Sequence, residues 1–162
     1  MSELVVSSSL MNLLNEALLR EIHVSIQYML QHSVENGRRS AIEDKKQFTR
    51  QSNFFASHSS IWFPGSSLKK IAITEMRHAE AIAERIVVLG GKPAKDPGAI
   101  TLGSTTAEML EIDIEEEREA IELYKQIINV ADQENDNITK NMFKRILSDE
   151  EKHHSEFSKL LE

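Results

Sequence analysis

Glutamate and histidine recur three residues apart in Glu75-Met76-Arg77-His78 and again in Glu150-Glu151-Lys152-His153. On a helix, residues at that spacing project from one face. Two further glutamates, Glu21 and Glu117, each interrupt an apolar helical stripe that precedes one of these tetrapeptides. Together Glu21, Glu75, His78, Glu117, Glu150 and His153 offer four carboxylates and two imidazoles. Carboxylates suit hard cations and imidazole adds borderline ligation, so this shell fits a pair of iron or manganese ions. Four ionised glutamates also offset the charge of two divalent ions. In such an arrangement Glu75 and Glu150 bridge the metals, Glu21 with His78 terminates one, and Glu117 with His153 terminates the other. Open coordination positions would admit O2 or peroxide, and two adjacent irons can each lose one electron. A single Glu-x-x-His in a glutamate-rich helical protein is ordinarily a surface ion pair. Here the placement argues otherwise, because buried ionised carboxylates are costly unless paired or metal-bound.

Four helical patterns must position these residues. The first is predicted from about Ser8 to Asn36, with Leu10, Leu14, Ala17, Leu18, Val24 and Tyr28 as its stripe and Gly37 as its end. The second runs from about Ser66 to Leu89, capped by Ser66 or Ser67 and ended by Gly90-Gly91. Leu68, Ile71, Ala72, Ala79, Ile82, Ile86 and Leu89 face inward. The connection that follows carries Pro93 and Pro97 and is long for a turn, so the next helix can begin at the other end of a bundle. Thr105-x-x-Glu108 reads as a capping box for a third helix reaching about Gln133. Its predicted inward set is Leu110, Ile114, Ile121, Tyr124, Ile128 and Ala131. After a turn at 134–137, the fourth helix buries Phe143, Ile146, Leu147, Phe157 and Leu161. Residues of about 37–65 form an atypical insertion, in which Ala41 to Ile61 could hold a further helix and Trp62-Phe63-Pro64-Gly65 looks like a structured break. The chain is expected to be a single domain over 1–162. A weak internal repeat relates Glu21 and Tyr28 to Glu117 and Tyr124, as expected of two helical hairpins around a pseudo-twofold axis.

Composition narrows the function classes. The absence of cysteine excludes a disulfide framework, a thiolate nucleophile and iron–sulfur or rubredoxin-type iron. It is compatible with a reducing cytoplasm, the expected location, and the acidic start MSELVVSSSL lacks the basic region of a secretory signal. No apolar run is long enough to span a bilayer, so no membrane partner is expected. A formal net charge of −7 argues against a nucleic-acid partner and suits a surface that gathers cations.

At this point the chain resembles the bacterioferritin branch of the ferritin-like superfamily. The matching residues are Glu21 with Gln27-Tyr28, then Glu75-Met76-Arg77-His78, Glu117, and Asp149-Glu150-Glu151-Lys152-His153. The resemblance implies an all-α, ferritin-like four-helix bundle with a long crossover between helices 2 and 3. It implies a di-iron centre of two iron ions that oxidises Fe(II) with O2 or hydrogen peroxide, for iron storage and detoxification, in a homo-oligomer. Met76 matches a position at which that branch supplies a haem-ligating methionine from each of two subunits; the alternative is packing at a helix or subunit contact. Tyr28 resembles a tyrosine that donates a hydrogen bond or an electron near the metals, against the alternative of a core tyrosine with a satisfied hydroxyl. Asp149 resembles an aspartate that orients a ligand histidine. Thr74 stands where the family often has the matching aspartate, so the two metal positions are not expected to behave alike. His23, His32 and His58 read as surface or packing residues, and His154, about 100° around the helix from His153, as exposed or supporting a ligand.

Two rival readings share the fold. Rubrerythrin-like oxidases or peroxidases usually add a glutamate where this chain has Ala120 and carry rubredoxin cysteines. DNA-protecting ferritin relatives place their ligands between subunits, and a complete set within one bundle counts against that. Shell-forming ferritins commonly carry a short fifth helix beyond the position of Glu162, which leaves the size of the assembly open.

Overall fold

The computed structural model describes residues 6–48 and 65–162. Four helices account for most of them: α1 (Ser8–Phe48), α2 (Gly65–Val88), α3 (Thr106–Gln133) and α4 (Asn137–Leu161). This is an all-α four-helix bundle. Helix α1 packs mainly on α2 and α3 on α4, and the two hairpins meet chiefly through α1 and α3.

Two apolar clusters fill the interior. One gathers Leu10, Leu14, Leu18, Ile82, Ile86, Tyr124, Ile127 and Phe143; the other gathers Val24, Tyr28, Leu68, Ile71, Leu110 and Phe157. The order in which each helix passes through them gives its direction. Helices α1 and α4 run from the first cluster to the second, whereas α2 and α3 run from the second to the first. Consecutive helices with the same direction cannot be joined by a tight turn, so the α2–α3 connection must travel the length of the bundle. It is pinned to α1 along its course. Asn15 accepts from the Ala94 amide at 2.7 Å, the His23 ring meets the Pro97 carbonyl at 3.2 Å, and Arg38 donates to the Ser104 carbonyl at 2.7 Å. Gly103 is required there, because a Cβ would lie 2.5 Å from the Met109 amide nitrogen.

Local chemistry sets the helix ends. Gly90, at φ +78°, ends α2, and the Gly91 amide reaches back to the Ile86 carbonyl. Thr105 caps α3 by accepting from the Glu108 amide, while Glu108 reaches back to the Ser104 amide at 2.7 Å. Asp136 caps α4 and also binds Arg85 of α2 at 2.7 Å, which ties the two hairpins together at that end.

Three expectations are corrected. Helix α1 does not stop at Gly37 but continues to Phe48. Gly37 has no positive φ, and an Arg38–Glu35 ion pair at 2.7 Å spans the turn that contains it. Residues 37–48 of the expected insertion are therefore a continuation of α1, and Gly65 opens α2; the rest, including Trp62-Phe63-Pro64 and His58, lies outside the described residues. On α3, Ile121 and Ile128 are only partly buried, and Ala120, Leu123 and Ile127 face the interior instead. On α4, Leu147 and Leu161 are likewise only partly covered.

Candidate metal centre

A polar layer separates the two apolar clusters, and each helix contributes to it where its stripe crosses from one cluster to the other. Helix α1 supplies Glu21, α2 supplies Glu75 and His78, α3 supplies Glu117, and α4 supplies Glu150 and His153, all buried. Glu21, Glu75, His78 and Glu150 place ligand atoms within 4.8 Å of one another, as do Glu75, Glu117, Glu150 and His153. The structure thus brings together the six residues that spacing singled out, in two groups sharing Glu75 and Glu150.

The shared carboxylates each reach both imidazoles. Glu75 lies 3.0 Å from His78 Nδ1 through Oε2 and 2.7 Å from His153 Nδ1 through Oε1. Glu150 lies 3.0 Å from His78 Nδ1 through Oε1 and 3.3 Å from His153 Nδ1 through Oε2. Both histidines therefore turn Nδ1 into the centre. The remaining glutamates are held by tyrosines from the opposite hairpin. Tyr28 donates to Glu117 Oε1 at 2.6 Å, and Tyr124 donates to Glu21 Oε1. Each tyrosine ring is braced edge-on, Tyr28 by Phe157 and Tyr124 by Phe143, with centroids 5.3 Å apart in both pairs. The sequence marks Tyr124 as an inward residue and the repeat counterpart of Tyr28; its bond to Glu21 extends the repeat to cross-bundle contacts.

Protons balance part of this charge. Burial works against ionised Glu21, and the charges of Glu150 and Glu75 add to it, so its carboxyl is held well above the usual range. Glu117 is raised for the same reasons. Burial opposes the charged form of Glu150 too, but the adjacent His153 and His78 rings and Glu117 outweigh it and bring the carboxyl down to about 2. Burial disfavours the His153 cation, yet the adjacent carboxylates of Glu150 and Glu75 push the ring up to about 10, and His78 is raised by Glu150, Glu21 and Glu75 in the same way.

The donor set fits a metal pair on a specific observation. Glu21 Oε2, Glu75 Oε1 and Glu150 Oε1 are buried yet accept no aligned hydrogen bond, although imidazole nitrogens lie near each. Buried carboxylate oxygens without an aligned donor are what a cation would complete.

The outer contacts are less symmetric. Asp149 faces His78 Nε2 at 3.6 Å while also binding Lys152 at 2.8 Å. Thr74 turns its hydroxyl back onto the Lys70 carbonyl at 3.1 Å. Met76 lies outside the packed interior, 53% exposed on α2. His23 is partly buried against the crossover, and His32 and His154 are partly buried away from the six residues. Among the described residues, no helix is long and apolar enough to cross a membrane.

Comparison with known proteins agrees with this geometry. The family described as Ferritin, a ferritin-like domain, matches residues 64–162. The bacterioferritin of Desulfovibrio desulfuricans is 32% identical over 147 residues, spanning 90% of this chain and 70% of the relative. That of Mycolicibacterium paratuberculosis is 32% identical over 144 residues, 88% of this chain and 77% of the relative. An X-ray structure of the D. desulfuricans protein, described by its di-iron site in different catalytic states, superposes with a TM-score of 0.73 at 30% identity, covering 95% of this chain and 78% of the other. A Rhodobacter capsulatus bacterioferritin structure shares the fold with a TM-score of 0.77 at 22% identity, covering 96% and 84%. The chain is a bacterioferritin-like member of the ferritin-like superfamily.

Proposed function

We propose that this protein is a ferroxidase, oxidising Fe(II) to Fe(III) with O2 or hydrogen peroxide for iron storage and detoxification in a homo-oligomer. The observation that carries the reading is the pair of overlapping ligand groups joined by Glu75 and Glu150. Glu21 with His78 would hold one iron and Glu117 with His153 the other. Bound there, two irons supply one electron each, so that an oxidant is reduced by electron pairs.

The chain's own residues prepare this chemistry. In the metal-free protein, protons on His78 and His153 offset the carboxylates, and these must leave from Nδ1 as the ligands take up metal. Metal affinity should therefore rise with pH. Tyr28 and Tyr124 fix one oxygen of Glu117 and of Glu21; the other oxygen of Glu21 has no aligned donor, and Glu117 also faces Glu150, so both carboxylates are turned toward the centre. The apolar clusters on either side flank the centre with side chains that offer water no polar partner. The test is an anaerobic Fe(II) titration followed by an O2 pulse on protein sized by light scattering. Rapid oxidation that saturates at two Fe(II) per chain supports the reading; oxidation no faster than in buffer overturns it. The same mass measurement separates a shell from a small oligomer.

Haem is a second cofactor of this reading. Met76 takes no part in the bundle interior, so core packing does not account for it. Two copies presenting Met76 across an interface would supply two thioether ligands to one haem iron. Parent protein mixed with haem should show a bis-thioether absorption spectrum that Met76→Leu lacks; identical spectra would remove Met76 from this role.

A further inference from the structure

A second polar cluster lies between α1 and α3, one helical turn from Glu117. Gln27, Gln31 and Asp113 are each fully buried. Both glutamine amides donate to the same oxygen, Asp113 Oδ1, at 3.1 Å and 2.8 Å. That leaves three buried oxygens without a donor: Gln27 Oε1, Gln31 Oε1 and Asp113 Oδ2. Every unmet atom is an acceptor, so the cluster lacks positive charge or donors and not further oxygens. Burial, with Glu116 nearby adding like charge, pushes the Asp113 carboxyl up to about 7 against the hydrogen bonds of its two neutral amide partners.

Packing does not require this polarity. The offset that carries Glu21 to Glu117 and Tyr28 to Tyr124 also carries Gln27 to Leu123, Gln31 to Ile127 and Ala17 to Asp113. Leu123, Ile127 and Ala17 all belong to the first apolar cluster. At the equivalent place in the other half, the bundle closes with an aliphatic set. The polar set therefore departs from a packing solution that the same fold already uses.

We propose that Gln27, Gln31 and Asp113 form a cation site that takes one divalent ion through Gln27 Oε1, Gln31 Oε1 and Asp113 Oδ2. An all-oxygen set with one carboxylate suits a hard ion such as Mn(II), Mg(II) or Fe(II), with waters completing the shell. The site is separate from the Glu/His centre and shares no ligand with it. Its position beside Tyr28 and one turn from Glu117 makes it a holding position next to one end of that centre.

The probe is Mn(II), titrated anaerobically into the metal-free full chain and followed by the loss of free-ion electron paramagnetic resonance signal. The parent should bind three Mn(II) per chain. Asp113→Asn, which keeps the shape and removes the charge, should weaken one of the three by about tenfold or more. Replacement of Gln27, Gln31 and Asp113 by Leu, Ile and Ala should remove it. A variant carrying Glu75→Ala and Glu150→Ala should retain one Mn(II), which Asp113→Asn then weakens, so failure of the Glu/His centre is distinguishable from failure here. A count that Asp113→Asn leaves unchanged in affinity and number overturns the proposal and assigns the cluster to a buried proton or water.

Discussion

Replacing Glu75 or Glu150 by alanine is expected to slow Fe(II) oxidation by about 100-fold or more, since removing even an outer partner of a metal ligand costs 10–100-fold. Each of these carboxylates belongs to both ligand groups, so either change removes a donor from both metal positions at once. Helix content should be unchanged in far-ultraviolet circular dichroism, because the apolar clusters on either side are untouched. The metal-free proteins should melt below the parent, since each change removes a buried carboxylate that faces both imidazole rings. In the parent, a divalent ion at about 100 times its dissociation constant should raise the melting temperature by roughly 5–11 °C. Both variants should lose most of that rise. A parent-like oxidation rate in both would remove Glu75 and Glu150 from the centre.

The second large effect concerns stability and lies at the end of the bundle where α4 begins. Asp136 caps α4 through the Thr139 amide at 3.0 Å and pairs with Arg85 at 2.7 Å, with both side chains almost wholly covered. Arg85 also donates to Thr139 Oγ1 at 2.8 Å. Asp136→Ala leaves a buried guanidinium without its carboxylate, which costs about 3–5 kcal/mol. The melting temperature should fall by roughly 6–20 °C. Burial works against the Asp136 anion, but the Arg85 and Thr139 hydrogen bonds outweigh it and hold the carboxyl below its usual value. Its contribution is therefore complete above the unfolded-state value of about 3.9 and is lost as pH falls through the lower folded-state value. Parent and variant melting temperatures should differ at pH 7 and converge at strongly acid pH. The exposed Lys125–Glu122 pair is the control: Glu122→Ala should leave the melting temperature unchanged. A pH-independent gap between parent and Asp136→Ala would attribute the loss to the cap alone.

The six-residue centre was legible because helical spacing is a strong signal when a charged residue falls on an apolar stripe. Glu21 among Ala17, Leu18 and Val24 is the plainest case. The cross-bundle bonds of the tyrosines were only half legible: the repeat paired Tyr28 with Tyr124, but which glutamate each would reach depends on how two hairpins dock. The stripe of α3 was misjudged at Ile121 and Ile128 because size was weighed above phase. The interior line through Asp113, Glu117, Ala120, Tyr124, Ile127 and Ala131 keeps a strict helical period and includes two acids. Asp113 and Gln31 were not singled out, and Gln27 entered only beside Tyr28 in the family resemblance, because no spacing rule ties these three polar residues to one another. Gly37 misled because a glycine after a long stripe usually ends a helix, whereas here the Glu35–Arg38 pair and the contact of Arg38 with the crossover carry α1 onward. The Arg85–Asp136 link left no sequence signal, because its partners are far apart in the chain and each reads as an ordinary surface charge.

The most direct measurement is a crystal structure of the protein loaded anaerobically with Fe(II), with the ions located by anomalous scattering. Two ions should lie at the Glu/His centre, each bound by Glu75 and Glu150, one completed by Glu21 and His78 and the other by Glu117 and His153, whether or not a further ion sits at Asp113. An empty interior at saturating Fe(II), or a single ion that Glu75 and Glu150 do not share, would contradict the dinuclear centre on which the functional account rests.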